Sequence, residues 1–416
     1  MTFDKKRAAG ALTRGAYFTA YAALPVFAVF SGGTATTFLA LATVLLLAGT
    51  GAAAKPIGEL RAIAGSVPGN PALTLALIFI ALAWLSLLWS PWPAETARFS
   101  AHITGVLGLS LLWHRNCAAH DAELARRMMY LGIAIASAIL LLALFQIFNL
   151  RLLLLNDHKP SPFNRGILIT CTFAASAVAL AIGARQRRRS AWALFALVAL
   201  VALLSRSETS KLFVVAFVLL LALFTFLERY CGRLSALVPP LIYVAFPLLV
   251  IPLRGPLEAA MDTWLRPLMV SASALARQEI WASFLGAALQ RPILGWGLGT
   301  ERFVPLAGNT FEAGAAARWT HPHSLPIQVL ANLGITGFLI AGGVIVAMSL
   351  AIGRFGHNRP PAFALATALL VAWSVSHGAW QDWWLSAMAL TMAPLFIQER
   401  AARPGNASGS RRFSKD

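Results

Sequence analysis

Apolar runs separated by short polar turns recur along almost the whole chain. They predict twelve helical spans, over 17–30, 35–53, 71–89, 99–113, 130–149, 164–183, 191–205, 211–227, 236–253, 325–352, 362–377 and 383–397. Most are near or somewhat below the ~20 residues that carry a helix across a bilayer. The pattern breaks once, over a long loop from about Arg254 to Thr320. Within it, Ser273 to Gln290 has apolar residues at helical spacing: Leu275, Ile280, Trp281, Phe284, Leu285, Ala288 and Leu289. The expected fold is an all-α polytopic membrane protein. Spans one to nine fill 1–253, the loop 254–322, spans ten to twelve 323–399, and a basic tail 400–416 reads as disordered.

Composition agrees with that pattern. The chain is 58% hydrophobic and 12% charged, with a mean hydropathy of +0.70, which excludes an ordinary soluble domain. A net charge of +18 raises the question of nucleic acid. The basic residues, however, cluster in loops between apolar runs, where positive-inside topology and anionic headgroups account for them. Most fall on one side if the N-terminus is cytoplasmic, which places both termini inside. The basic start leads into an apolar run without a cleavage site, so no removable leader is expected. Cys117 and Cys231 then lie in inner loops and Cys171 in a span, which leaves no external disulfide and no metal-type cysteine spacing.

On the opposite, outer side five segments carry the distinctive polar residues. Asn164 and Arg165 open the sixth span. Ser205 to Lys211, with Arg206, forms the turn between the seventh and eighth. Arg277 lies on the loop helix. His321 and His323 precede the tenth span, and Asp382 sits among Trp380, Gln381, Trp383 and Trp384 before the twelfth. Each has a plainer reading. Arg206 and Lys211 suit snorkelling anchors. Asn164-Arg165 suits a helix start, and the tryptophans an interfacial belt. Arg277 suits a solvated face or a cation–π pair with Trp281. Gly295-Trp296-Gly297-Leu298-Gly299 lacks the Lys-Ser/Thr of a phosphate loop and reads as a turn. The two histidines suit a general base, a structural role or, poorly, a metal. A helix N-terminus beside them keeps an imidazole neutral and favours an anion.

The run His321-x-His323-Ser-Leu-Pro-x-Gln-x-Leu-x-x-x-Gly-x-x-Gly337 resembles the signature of O-antigen ligases and related polymerases. So do Ser205-Arg206 before a span and Arg277-x-x-x-Trp281 leading to Pro292-Ile-Leu-Gly-x-Gly. The resemblance covers roughly 160–390. It implies a GT-C type glycosyltransferase that moves a glycan from polyprenyl diphosphate to lipid A–core at the periplasmic face of the bacterial inner membrane. It assigns the essential histidine to His323, the two arginines to Arg206 and Arg277, and a late acidic residue to Asp382. Glu208 departs from the family pattern, because a carboxylate beside a phosphate-binding arginine weakens it unless it points away.

The expected chemistry is one inverting displacement. Arg206 and Arg277, helped by Lys211 and Arg165, hold the diphosphate, while His323 takes the acceptor proton. His321, Asn164 and Asp382 complete the substrate-binding set. No metal, ATP or other cofactor is expected, because the donor is already activated. A polymerase with the same donor and a second polyprenyl-linked glycan is the alternative. A transporter is a weaker one, since paired halves and midplane ionisable residues are not visible.

Overall fold

The computed structural model describes residues 3–31, 33–118, 121–145, 161–250, 252–253, 273–304, 320–356 and 358–402. The end of the fifth predicted span (146–149), most of the long loop (254–272 and 305–319) and the tail 403–416 lie outside these residues. Everything regular within them is helical. Five stretches are long and apolar enough to cross a membrane: Pro71–Leu88, Ala122–Leu144, Phe163–Gly183, Glu208–Val250 and Leu325–Ile352. Ala35–Thr50 and Arg359–Val375 are apolar but shorter. The chain is therefore a helical membrane protein.

Other predicted spans exist as helices whose charged ends interrupt the apolar window. The fourth runs from Pro93 to Asn116, longer than expected, because Pro93 starts a polar stretch with Glu95 in the first turn and Arg98 in the second. The first lies in a continuous helical run from Phe3 to Phe30, with a π-helical section at Phe18–Ala23. The stretch Glu208–Val250 is two helices, broken by a 3₁₀ segment at Gly232–Leu237. A helix at Pro56–Ser66, read as loop in the sequence, buries none of its residues.

We label the helices that build the site α1 (Pro93–Asn116), α2 (Ser161–Gly183), α3 (Arg188–Leu204), α4 (Glu208–Cys231), α5 (Ser273–Gln290), α6 (Leu325–Ile352), α7 (Arg359–Val375) and α8 (Asp382–Ala402). Helix α2 is central, with 89% of its apolar window buried. Lipid tails are as apolar as leucine, so close approach and hydrogen bonds must hold such helices together. A Cβ on Gly166 would lie 2.5 Å from the Ala28 carbonyl oxygen, so only glycine permits that crossing. Deeper in the bundle, Ser176 donates to the Thr391 carbonyl at 2.7 Å, and Thr391 donates to Thr172 at 3.1 Å.

Helix α6 is broken at Gly334, where φ is 60° and ψ is −161°. That backbone region is essentially restricted to glycine. A break inside a spanning helix frees backbone groups that lipid cannot satisfy. Here the turn 291–299 satisfies them. Trp296 N donates to Ala331 O at 3.0 Å and Gly297 N to Asn332 O at 2.8 Å. In return, Ile335 N donates to Pro292 O at 2.8 Å and Thr336 N to Ile293 O at 3.2 Å. The glycine-rich segment is a turn, as expected, and its glycines serve backbone docking: a Cβ on Gly295 would lie 2.4 Å from the Asn332 carbonyl. Gly334→Ala combines forbidden backbone with a contact of 2.3 Å to Ile293 O. It should cost on the order of 3 kcal/mol or more. The expected result is loss of most folded monomer on size-exclusion chromatography in detergent. A variant that stays monodisperse with the parent's melting temperature would contradict this account.

Candidate functional site

The loop before α6 is strained and held from three sides. His323 has φ +54°, an uncommon value for a residue other than glycine. Its Nδ1 lies 2.6 Å from the Ser376 carbonyl at the α7–α8 turn. Its backbone N–H donates to His321 Nδ1 at 3.3 Å. Between the two histidines, the Pro322 carbonyl accepts from Trp281 Nε1 at 2.9 Å. Trp281 thus ties α5 to the histidine loop and packs edge-on against Phe246 rather than serving as the partner of a cation. Arg277, one turn earlier on α5, is carried to the same place.

These contacts fix the protonation states. A carbonyl oxygen only accepts, so His323 carries its proton on Nδ1 and keeps a lone pair on Nε2. Burial pushes its pKa below the ordinary histidine value. The Ser376 carbonyl pulls it back up and the Arg277 cation pushes it further down. His321 uses Nδ1 as the acceptor, so its proton is on Nε2. Burial, with His323 and the cations Arg302, Arg165 and Arg277 around it, lowers its pKa to about 3. Both rings, with centroids 4.1 Å apart, are neutral near pH 7.

The cations come from separate elements. Arg277 is half-buried, and its Nε is buried without a hydrogen bond among the described residues. Burial lowers its pKa, and Glu208 opposes that shift. Glu208 therefore does not point away from the basic cluster. It faces Arg277 and pairs with Lys211 at 3.3 Å. Residues 208–211 form the first turn of α4 rather than loop, so only 205–207 make the turn. Arg206 lies there, exposed, with no hydrogen bond, ion pair or ring contact to another site residue among the described residues. Thr209, one residue beyond Glu208, hydrogen-bonds Ser376, which brings the start of α4 to the carbonyl that holds His323.

Arg165 stacks over the Trp383 ring, 5.2 Å from its centroid, and faces Asp382 at the start of α8. Asn164 is half-buried beside it, within a helix that begins at Ser161 rather than 164. The tryptophans are not a lipid-facing belt. Trp380, Trp383 and Trp384 are 4%, 3% and 0% exposed. Trp380 Nε1 donates to Asn332 at 2.6 Å, and the rings of Trp383 and Trp384 pack on His377. Buried polar partners, which the sequence does not reveal, draw these rings inward. Leu289, expected on the apolar face of α5, is 74% exposed, because Phe284, Ala287 and Ala288 make the contact instead.

Two residues were missed. His377 is half-buried, and burial together with His323, Arg165, His321 and Arg277 pushes its pKa well down. It was placed inside the eleventh span, but α7 ends at Val375. Glu301, just after the glycine turn, is buried and raised to about 7, mainly by desolvation. It accepts from Gln328, whose Oε1 accepts from Ala379 N at 2.7 Å. Gln328 and Asn332, one helical turn apart on α6, thereby hold the 376–381 turn in place. The Ser376-His377-Gly378 triplet between apolar runs was the available signal for the first. A lone acid after three glycines was the signal for the second.

No group of three or more His, Cys, Asp or Glu suited to a metal occurs among the described residues. The arrangement offers an imidazole lone pair in the loop before α6, with the guanidinium of Arg277 on α5 facing it and that of Arg165 on α2 acting on the neighbouring His321. Arg206, Lys211, Arg277, His321 and His323 all lie in one stretch that matches a known family. Residues 193–342 match the profile of the O-antigen ligases. The resemblance seen in the sequence is thus shown over this stretch. Relatives include a provisionally named polysaccharide ligase of Rickettsia conorii, 24% identical over 29% of this chain and 30% of its own length. A second, from Rickettsia felis, is 22% identical over 29% of this chain and 31% of its own. The chain therefore spans about a third of the length of these curated relatives. His377, Arg165 and Asp382 fall outside the family match.

Proposed function

We propose that this protein is an O-antigen ligase that moves a glycan from polyprenyl diphosphate to lipid A–core at the periplasmic face of the inner membrane. The supporting observation is the meeting of His323 Nε2, free to accept a proton, with Arg277 at one end of the bundle. The donor's diphosphate lies against Arg277, Arg165 and Lys211, with Arg206 at the exposed rim, and its polyprenyl tail lies between spans. Guanidinium groups stay charged and grip phosphate in planar forks. His323 Nε2 removes the proton from an acceptor hydroxyl. The oxygen attacks the anomeric carbon, and the bond from that carbon to the diphosphate oxygen breaks. The electron pair leaves on polyprenyl diphosphate, where the cations offset the charge. One such displacement inverts the anomeric centre. Asp382 orients Arg165, and Glu208 holds Lys211.

A glycan polymerase would use the same donor and the same groups, differing only in its acceptor. Purified protein in vesicles, given polyprenyl-diphosphate glycan and lipid A–core, should yield lipid A–core carrying one transferred glycan and free polyprenyl diphosphate. Growth of longer chains on polyprenyl diphosphate would make it a polymerase. Sugar accumulating in sealed vesicles without a covalent product would make it a transporter.

A further inference from the structure

His321 separates two environments. On one side are His323 and the Arg277 cation. On the other is a cavity of about 160 Å³, lined by Arg98, Phe99, Glu301, His321, Trp380 and Gln381 among others. That is roughly ten times the ~10–15 Å³ that a single water requires. Its walls come from α1, the loop after the glycine turn, and the α7–α8 turn. Glu301 is 4% exposed and Trp380 also 4%. Arg98 lies over the Phe99 ring at 4.8 Å and pairs with Glu95 at 2.5 Å at the rim. Gly378 brings the α7–α8 turn against the His321 ring, where a Cβ would lie at 3.3 Å.

The lining has a chemical preference. Carboxylates and side-chain amides exchange hydrogen bonds with hydroxyl groups, and aromatic walls take up an apolar ring face. The lining also holds Arg98 and Arg302, but Arg98 pairs with Glu95 and the Arg302 charge acts on Glu301, so carboxylates offset these cations, unlike those around His323. The cavity therefore suits a sugar ring and not the donor's charged group. Inversion adds direction, since an attacking oxygen approaches opposite the departing group. With the diphosphate on the Arg277 side, the acceptor comes from the cavity side.

We propose that this cavity is the subsite for a sugar ring of the acceptor glycan, with Glu301 and Gln381 bonding its hydroxyls and Phe99 and Trp380 flanking its face. The inference rests on the ligase reading above. Glu301 and Gln381 bind substrate here and take no part in the proton transfer.

Two variants and two readouts test it. Glu301→Gln preserves shape and the Gln328 bond, and Gln381→Ala removes a partly exposed amide. Both should raise the acceptor KM about tenfold or more and leave the donor KM within twofold. Core oligosaccharide released from lipid A should quench tryptophan fluorescence of the His323→Ala protein. The same protein carrying Glu301→Gln or Gln381→Ala should be quenched about tenfold more weakly. Unchanged acceptor KM in both variants, with the parent active, overturns the subsite. A rise in donor KM alone assigns the cavity to the donor's sugar and also overturns it. A parent that transfers nothing defeats the ligase reading. Binding then decides the cavity: weakened quenching in both variants keeps a sugar site, and unchanged quenching removes it.

Discussion

His323→Ala should lower glycan transfer by about 10²–10⁴-fold, the contribution expected of a positioned general base. The variant should stay folded, because the α7–α8 turn keeps its other ties, from Gln328 to Ala379 N and from Trp380 to Asn332. One complication is built into the backbone, since His323 sits at φ +54° and alanine tolerates that region poorly. His323→Asn separates the two effects. Asparagine accepts left-handed backbone but cannot take up a proton, so it should fold like the parent and be as inactive as the alanine variant. Transfer by His323→Asn within tenfold of the parent would remove the base role. The parent's pH dependence gives a second reading of the same group. The neutral ring is the active form, and its pKa lies below the ordinary 6.5. The rate should therefore be level around pH 7 and fall as pH drops through a value below 6.5. An acid limb centred above 6.5 would be inconsistent with His323 as the base.

Arg277→Lys should cost at least about tenfold in turnover, and Arg277→Ala about 10²–10³-fold, as for removal of a preorganised charge-stabilising donor. Lysine keeps the charge but loses the planar fork. The two substitutions also differ in their effect on His323. Arg277 is one of the groups that depress the His323 pKa. With lysine the acid limb should stay near its place. With alanine that cation is gone, the histidine holds its proton to higher pH, and the limb should move up. Donor titrations and pH–rate profiles of the three proteins check both points. Parent-like turnover in Arg277→Lys would rule out two-point recognition of phosphate. An acid limb that ignores the loss of Arg277 would show that the guanidinium does not face the imidazole.

Some of the backbone around this site was legible because helix starts and turns are written locally. The helix start just after His323 and the turn at Gly295–Gly299 could both be read from the sequence. What misled the reading was burial. Tryptophans between apolar runs look like a belt to any pattern based on hydropathy, yet Asn332 and His377 draw them into the bundle. Glu208 looked like a defect beside Arg206. In space it joins Lys211 and Arg277, because the first turn of α4 rotates it toward α5 and leaves Arg206 exposed. His377 and Glu301 carry no repeat or spacing that marks them. Their perturbed pKa values come from neighbours far away in the chain.

The sequence by itself determined that this is a helical membrane protein with a stretch resembling the O-antigen ligases, because hydropathy period and short motifs are properties of neighbouring residues. It also placed two histidines just before a spanning helix. Only the tertiary structure decided which nitrogen of His323 is free, which cations face it, and that a polar cavity is lined in part by His321. Those depend on a carbonyl at Ser376, an indole at Trp281 and a carboxylate at Glu301, which meet through packing between helices distant in the chain, a relation no local pattern can encode.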